Sequence, residues 1–267
     1  MSTSLNSGHA KNAVNLSKLN QILATFGGSY NPANKHINLP SLVVLQTSAD
    51  DKLTAVNTAL TTWKNDTNNR EIAFQDLDKF STKLLGALQS MDVAPQTIDD
   101  FQALVKKMRG EGKLTKADAG KTNPDGSQPD PTKPAGDPTQ PAPIPDPTIS
   151  TSQQGFDNKL EHFGKMVLLL QNEALYIPNE AGFTVAELST KLTTLIAAND
   201  TANTSSANLQ AARIDRNTFF YKDGTGILST VKQVKSYVKS LYGANSQQYK
   251  AVTAVPFFRV VPAKKAN

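Results

Sequence analysis

The chain repeats itself. Tyr30-Asn31-Pro32 recurs as Tyr176-Ile177-Pro178, 146 residues later. At the same shift Leu42 falls on Leu188, Thr47 on Thr193, Asn57 on Asn203, Arg70 on Arg216 and Phe74 on Phe220. No gap is needed between residues 30 and 76. A duplicated unit constrains the architecture before any side chain has a role, because one copy seldom buries its apolar face alone. Each copy must cover that face against the other copy or against a second molecule.

The apolar face itself is a heptad seam. Starting at Leu42, every seventh residue is Leu42, Ala49, Val56, Trp63, Arg70, Leu77, Leu84 and Met91. The interleaved set is Gln46, Leu53, Leu60, Thr67, Phe74, Ser81 and Leu88. This period predicts a long helix with a narrow stripe rather than a strand. No proline interrupts the run, and the seam keeps its phase through Asn65-Asp66-Thr67-Asn68-Asn69. One continuous helix of about 50 residues is therefore expected, about 75 Å long at 1.5 Å per residue. A narrow stripe also accounts for a hydrophobic content of only 38% with charge at 19%.

Shorter helices flank it. Val14, Leu16, Leu19, Ile22, Leu23 and Phe26 predict a first helix over 10–26, ended by Gly27-Gly28. Ala94-Pro95 opens another, with proline in the first turn and Lys106, Lys107 and Arg109 at the C-terminal end of the dipole. In the second copy Phe156, Leu160, Phe163, Met166, Val167 and Leu170 match the first helix, and 184–221 matches the long one. Asp223-Gly224-Thr225-Gly226 then adds about four residues and should break the helix. Ile227, Leu228, Val231, Val234, Val238 and Leu241 restart the stripe. Tyr242 to Ser246 should close that helix and cap a short final one.

The expected fold class is all-α: two homologous helical units packed as a pseudo-twofold bundle of long antiparallel helices. Repeat unit 1 covers 1–111 and repeat unit 2 covers 152–255. Between them, 112–151 reads as a disordered linker, since nine of the 15 prolines lie between Pro124 and Pro147. A basic extended tail occupies 256–267.

Chemistry is scarce. With no cysteine, disulfides, thiolate catalysis and Cys-ligated metal are excluded. His9, His36 and His162 show neither His-Glu-x-x-His nor Glu-x-x-His spacing, and each is expected to be a surface or satisfied histidine. Gly120-Lys121-Thr122 lacks the earlier glycine and the strand of a P-loop. Prolines break the calcium-like spacing that begins at Asn123-Pro124-Asp125-Gly126. No Gly-x-Ser-x-Gly elbow is present. The expectation is therefore no catalytic residue, no cofactor and no metal. The polar N-terminus lacks the pattern of a secretory signal and no apolar run could span a bilayer, so a cytoplasmic location is expected.

Two groups of residues stand out. Arg70 and Arg216 sit in the seam, each four residues before a phenylalanine, Phe74 and Phe220. A guanidinium inside a bundle needs acceptors. The first expectation is a register-setting polar group stacked on its phenylalanine, and the second is an anion or carboxylate site. Lys232, Lys235 and Lys239 line one helix face opposite Val231, Val234 and Val238, with Lys250 and Arg259 nearby. The net charge of +5 is mild. That face reads first as solvated, and otherwise as a surface for phosphates or an acidic protein, with Tyr237, Tyr242 and Tyr249 available for stacking.

The repeated Tyr-x-Pro turn, the seam Arg-x-x-x-Phe and the closing Tyr242-Gly243-Ala244-Asn245-Ser246-Gln247-Gln248-Tyr249 resemble a family of uncharacterised bacterial proteins. In that family two helical copies are joined by a variable Pro-rich linker. The resemblance spans nearly the whole chain. It implies a bacterial origin and an all-α fold, and it brings no activity. The function expected is a non-enzymatic structural or protein-interaction module, with a protein partner or self-association. The alternative is nucleic-acid or polyanion binding through the basic face of the second repeat.

Overall fold

The computed structural model describes residues 7–110 and 155–260, and among them the protein is helical with no strand. The linker at 112–151, with Gly120-Lys121-Thr122 and the calcium-like spacing, lies outside the described residues, as does the tail beyond 260. In chain order the helices are α1 (Ser7–Ala24), α2 (Leu39–Phe74), α3 (Leu77–Gln89), α4 (Pro95–Arg109), α5 (Phe156–Gln171), α6 (Val185–Tyr221), α7 (Ile227–Tyr242) and α8 (Gln247–Thr253). The chain divides into two compact units. One takes Met1–Asp66 and Ala202–Asn267, the other Thr67–Thr201. The division falls inside α2 and inside α6.

The seam is buried in part, with Leu53, Leu60, Trp63, Thr67, Arg70 and Met91 only half-buried. On α2, Leu42, Ala49, Val56 and Phe74 are buried, and on α3 Leu77, Ser81, Leu84 and Leu88. On α6 the buried positions are Leu188, Leu195, Asn199, Ala202, Ser205, Leu209, Arg216 and Phe220. Most of the residues between them on α6 are exposed. Little apolar surface is thus needed to hold a 37-residue helix.

The starts of the two long helices, α2 and α6, are set by side-chain caps. Asn38 Oδ1 accepts from the Ser41 N–H at 2.9 Å at the head of α2. At the head of α6, 146 positions later, Thr184 and Glu187 form a capping box: Glu187 Oε2 accepts from the Thr184 N–H at 3.1 Å while Thr184 Oγ1 accepts from the Glu187 N–H at 3.3 Å. The Thr184 hydroxyl, donating to Glu187 Oε2 at 2.7 Å, and the N–H groups of Gly182 and Thr184 hold the Glu187 carboxyl below its ordinary pKa. Pro95 occupies the first turn of α4 as predicted, and Gly110 closes that helix in the left-handed region at φ 69°.

The expected 50-residue helix is broken once. It runs through the Asn65–Asn69 patch as predicted and stops at Phe74, and α3 begins at Leu77. Neither glycine nor proline marks the break. Asp76 stands at the head of α3 and Asp78 in its first turn, where the dipole favours a carboxylate. The predicted break at Asp223–Gly226 is present. A Cβ on Gly226 would come within 2.7 Å of the Lys222 backbone, so only glycine fits that turn.

Each unit has its own core. Phe101, Phe163, Leu84, Leu88, Met108, Met166 and their neighbours fill the 67–201 unit. Leu16, Leu19, Leu23, Leu42, Phe220, Val234 and Val238 centre the other. The buried series Leu77, Ser81, Leu84, Leu88 on α3 and Ile227, Val231, Val234, Val238 on α7 have the same spacing.

The turns after α1 and after α5 are each pinned by a tyrosine. The Tyr30 hydroxyl donates to the Ile37 carbonyl at 2.6 Å, and the Tyr176 hydroxyl donates to the Phe183 carbonyl at 2.6 Å. Burial raises the pKa of both phenols, that of Tyr176 to about 12. We expect Tyr30→Phe and Tyr176→Phe each to cost about 1 kcal/mol, since each leaves a carbonyl without its donor and changes little else. The shift in urea midpoint measures this, and an unchanged midpoint for both variants would show that the hydroxyl bonds carry no net stability.

Candidate functional site

The residues singled out by the sequence lie in different surroundings. In the 67–201 unit, Arg70 projects from α2. Its Nη1 donates to Asn199 Oδ1 at 3.3 Å, and Asn199 Nδ2 donates to Asp157 Oδ1 at 2.7 Å. A positive guanidinium is thereby linked through a neutral amide to a carboxylate in the first turn of α5. The ring under the guanidinium belongs to Phe156, 4.1 Å from Cζ to the centroid, and Phe74 meets Phe156 edge-on at 5.0 Å. The stacking expected with Phe74 is thus found with Phe156, one residue before the acid. Asp157 and Phe156 were not singled out from the sequence. The available signal was an Asp in a first turn, common in helices generally.

The other seam arginine lies in the unit formed by residues 1–66 and 202–267. Arg216 is 5% exposed, and its Nε and Nη2 both donate to Asn217 Oδ1, at 3.2 and 2.8 Å. Burial lowers its pKa, with Tyr221 opposing and Arg213 reinforcing that shift. Phe220, four residues later, is fully buried and edge-on to His9 at 5.3 Å. His9 also packs on Tyr221, with centroids 5.3 Å apart. The Tyr221 hydroxyl accepts from the Val260 N–H at 3.2 Å, and the Arg259 guanidinium lies 5.6 Å from the Tyr221 ring. His9, Arg216, Asn217, Tyr221, Lys222 and Arg259 are among the residues that line an open cleft of about 470 Å³.

The lysine face is divided. Lys232, Lys239 and Lys250 are exposed, as a solvated surface would be. Lys235 instead turns into the fold: its Nζ donates to the Val255 carbonyl at 2.9 Å and sits 5.6 Å from the Phe257 ring. Burial lowers its pKa. Three exposed side chains and one structural tie stand where a continuous basic face was expected. The tyrosines of this region also pack inward, Tyr237 against Tyr30 at 5.5 Å and Tyr242 against Phe26 at 5.4 Å.

The sequence reading missed the asparagines of α1. Its inner face was expected to include Val14, which is 55% exposed, while Asn12, Asn15 and Asn20 are buried. Asn12 Nδ2 donates to the Phe258 carbonyl at 2.7 Å and Asn15 Nδ2 to the Pro256 carbonyl at 2.7 Å. The Phe258 N–H returns to Asn12 Oδ1 at 3.3 Å. Asn20 Nδ2 reaches the Leu42 carbonyl at 3.1 Å. The segment 256–260 has no ladder of its own, so these amides satisfy its backbone.

One histidine, His162, differs from expectation. His36 is exposed, whereas His9 and His162 are buried. His162 is neither on the surface nor satisfied, since both ring nitrogens lack a hydrogen-bond partner among the described residues. Burial lowers its pKa, with the neighbouring Glu161 opposing and Lys165 and Lys107 adding to the shift. Among the described residues no group of three or more His, Asp or Glu could hold a metal ion, and no helix is long and apolar enough to cross a membrane. The chain matches no protein-family model, no curated protein and no solved structure.

Two predictions follow from these surroundings. Lys235→Met should cost about 1–2 kcal/mol by leaving the Val255 carbonyl without its donor, while Lys239→Ala should stay within about 0.5 kcal/mol of the parent. Equal urea midpoints for the two variants would refute the structural role of Lys235. For His162 the folded pKa is depressed, so below about pH 6.5 the unfolded chain binds the extra proton and stability falls as the pH drops. His162→Leu should flatten that slope and leave neutral-pH stability equal or higher, because no hydrogen bond is lost. Urea midpoints at about pH 7.5 and about pH 5.5 test it. An unchanged slope in the variant would place the titration elsewhere.

Proposed function

We propose that this chain is a non-enzymatic structural or protein-interaction module built on a duplicated helical bundle. In this reading two homologous copies, related by a pseudo-twofold, form a bundle of long antiparallel helices. The observation that carries it is the use made of buried polar groups. Asn12, Asn15, Asn20, Ser81, Ser205 and Thr230 are buried, and each donates to a backbone carbonyl of the fold. Groups committed in this way hold main chain in place. Even where they line a cleft, as Asn15, Thr230 and Ser205 do, a donor hydrogen is committed to those carbonyls.

Support for the duplication comes from matched details. The two tyrosine bonds, at 30 to 37 and 176 to 183, and the caps at 38 and 184 recur at one shift. Support for an interaction role comes from the long helices, where Val44, Ile72 and Ile214 are 65%, 68% and 56% exposed.

Absolute mass in solution, by light scattering on the eluting protein at low and high salt, tests this reading. We expect a mass above the 28.7 kDa of one chain, insensitive to salt because apolar contacts are not screened, and lowered by a V44S/I72S/I214S variant. A 28.7 kDa monomer under both conditions would reject self-association.

The second reading, nucleic-acid or polyanion binding, rests on Lys232, Lys239, Lys250 and Arg259, all exposed in the unit that contains α7 and α8. A monomer that shifts random DNA or RNA in a salt-dependent way would favour this second reading over the first.

A further inference from the structure

Each unit has a groove beside its first helix, and the two grooves differ in a way that packing alone does not require. In the unit formed by residues 1–66 and 202–267, Lys18 and Ile22 of α1 and the following Phe26 line a groove of about 840 Å³ with Gln248 and Ala251 of α8. In the 67–201 unit, Lys165 and Leu169 of α5 and the following Glu173 line one of about 420 Å³ with Thr97 and Asp100 of α4. Lys165, Leu169 and Glu173 stand 147 positions after Lys18, Ile22 and Phe26. Gln248 and Ala251 stand 151 positions after Thr97 and Asp100. The grooves can therefore be compared place by place.

The smaller groove satisfies itself. Lys165 is ion-paired with Glu161, and the Thr97 hydroxyl donates to Glu173 Oε2 at 3.1 Å. The larger groove lacks these acids. Val14 stands where Glu161 does, Phe26 where Glu173 does and Ala251 where Asp100 does. What remains is an apolar floor that includes Ile22, Phe26, Ala251 and Val255, and one charge, that of Lys18. Among the described residues Lys18 has no acidic partner, and no acid lines this groove.

The extra room has a structural cause. The α4 helix has 15 residues, whereas α8 ends at Thr253 after seven. Pro256 then keeps the chain out of a helix. A helix with its side chains is about 10 Å across and an extended chain about half that, so the segment after α8 leaves space beside α1 that a longer helix would fill. The Asn15 amide holds the Pro256 carbonyl and the Asn12 amide holds the Phe258 carbonyl, each at 2.7 Å, so this wall is fixed before anything enters. A preformed groove of this size, mostly apolar with a few polar groups, suits a small molecule.

We propose that this groove binds a small amphiphilic anion, a carboxylate on an extended apolar body. Ile22, Phe26 and Ala251 take the body and Lys18 takes the carboxylate. Lys18 is exposed, which suits a head group left in water at the mouth. The Gln21 and Gln248 amides make no hydrogen bond among the described residues and add neutral donors to the same groove. The site goes beyond the interaction role proposed above and does not depend on it.

Titration calorimetry of the full chain with decanoate, below its micelle concentration, tests the proposal. The parent should bind at one saturable site, and decanoate should raise Tm. K18Q changes one exposed side chain and should weaken binding by about threefold to fivefold, the range of an exposed charge pair. K165Q, at the equivalent lysine of the other groove, should bind as the parent does. A251F fills the floor and should remove saturable binding; where it loses the parent's helical circular dichroism, K18Q against K165Q decides. Absence of saturable binding and of a Tm shift in the parent would overturn the proposal. So would equal affinity in K18Q, an equal loss in K165Q, or undiminished affinity in a folded A251F. Decyltrimethylammonium binding as tightly as decanoate would also overturn it, because Lys18 would then select nothing. A parent that binds no decanoate and is a dimer broken by A251F would assign the groove to a second copy instead.

Discussion

A helix that buries so small a share of its residues cannot hold its own position. The α2 and α6 helices are of this kind: they run 36 and 37 residues on a seam of Leu, Ala and Val. Their stability depends on what the shorter helices pack against that seam, because a long helix with a narrow stripe gains little from its own sequence. The cores around Phe163 and Phe101 in one unit, and around Leu16 and Val234 in the other, supply that packing. Each core draws on helices far apart in the chain. Loop closure is therefore a cost that the buried leucines and phenylalanines must offset.

Polar groups do the aligning. Apolar contacts are forgiving of small slides along a helix axis, while a hydrogen bond to a named carbonyl is not. Asn12 and Asn15 fix the segment after α8 at a single register on α1, and Asn20 fixes α1 against the start of α2. Arg70, Asn199 and Asp157 do the same for α2, α6 and α5 in the other unit. Lys235 adds a cationic donor to the Val255 carbonyl. The buried polar side chains are in this sense a set of registration marks on a smooth seam.

Much of this was legible from the residues. The heptad period located the buried faces of α2, α3 and α6, proline located the start of α4, and the glycines located the turn before α7. The less legible parts share a cause: each depends on a partner distant in the chain. Asn12 reads as a surface residue until the Phe258 carbonyl is placed beside it, and Lys235 reads as one of three equivalent lysines until Val255 arrives. The break before α3 is a local event with a weak local signal, two aspartates, at a place where the seam stays in phase. The basic cleft escaped notice for the same reason, since His9, Arg216 and Arg259 are joined only by the fold.

The division of the chain into units has a consequence for how it must be made. Residues 1–66 belong to one unit and residues 67–111 to the other, and each is completed only by residues from the far side of the 112–151 segment. A ribosome that has finished the first 111 residues has made two halves and no whole. On the proposed duplication, a gene holding a single copy would face the same shortfall permanently. Two of its products would have to exchange halves before either was complete. Fusion of two copies in one reading frame turns that meeting of two molecules into an event within one, independent of how much protein the cell contains.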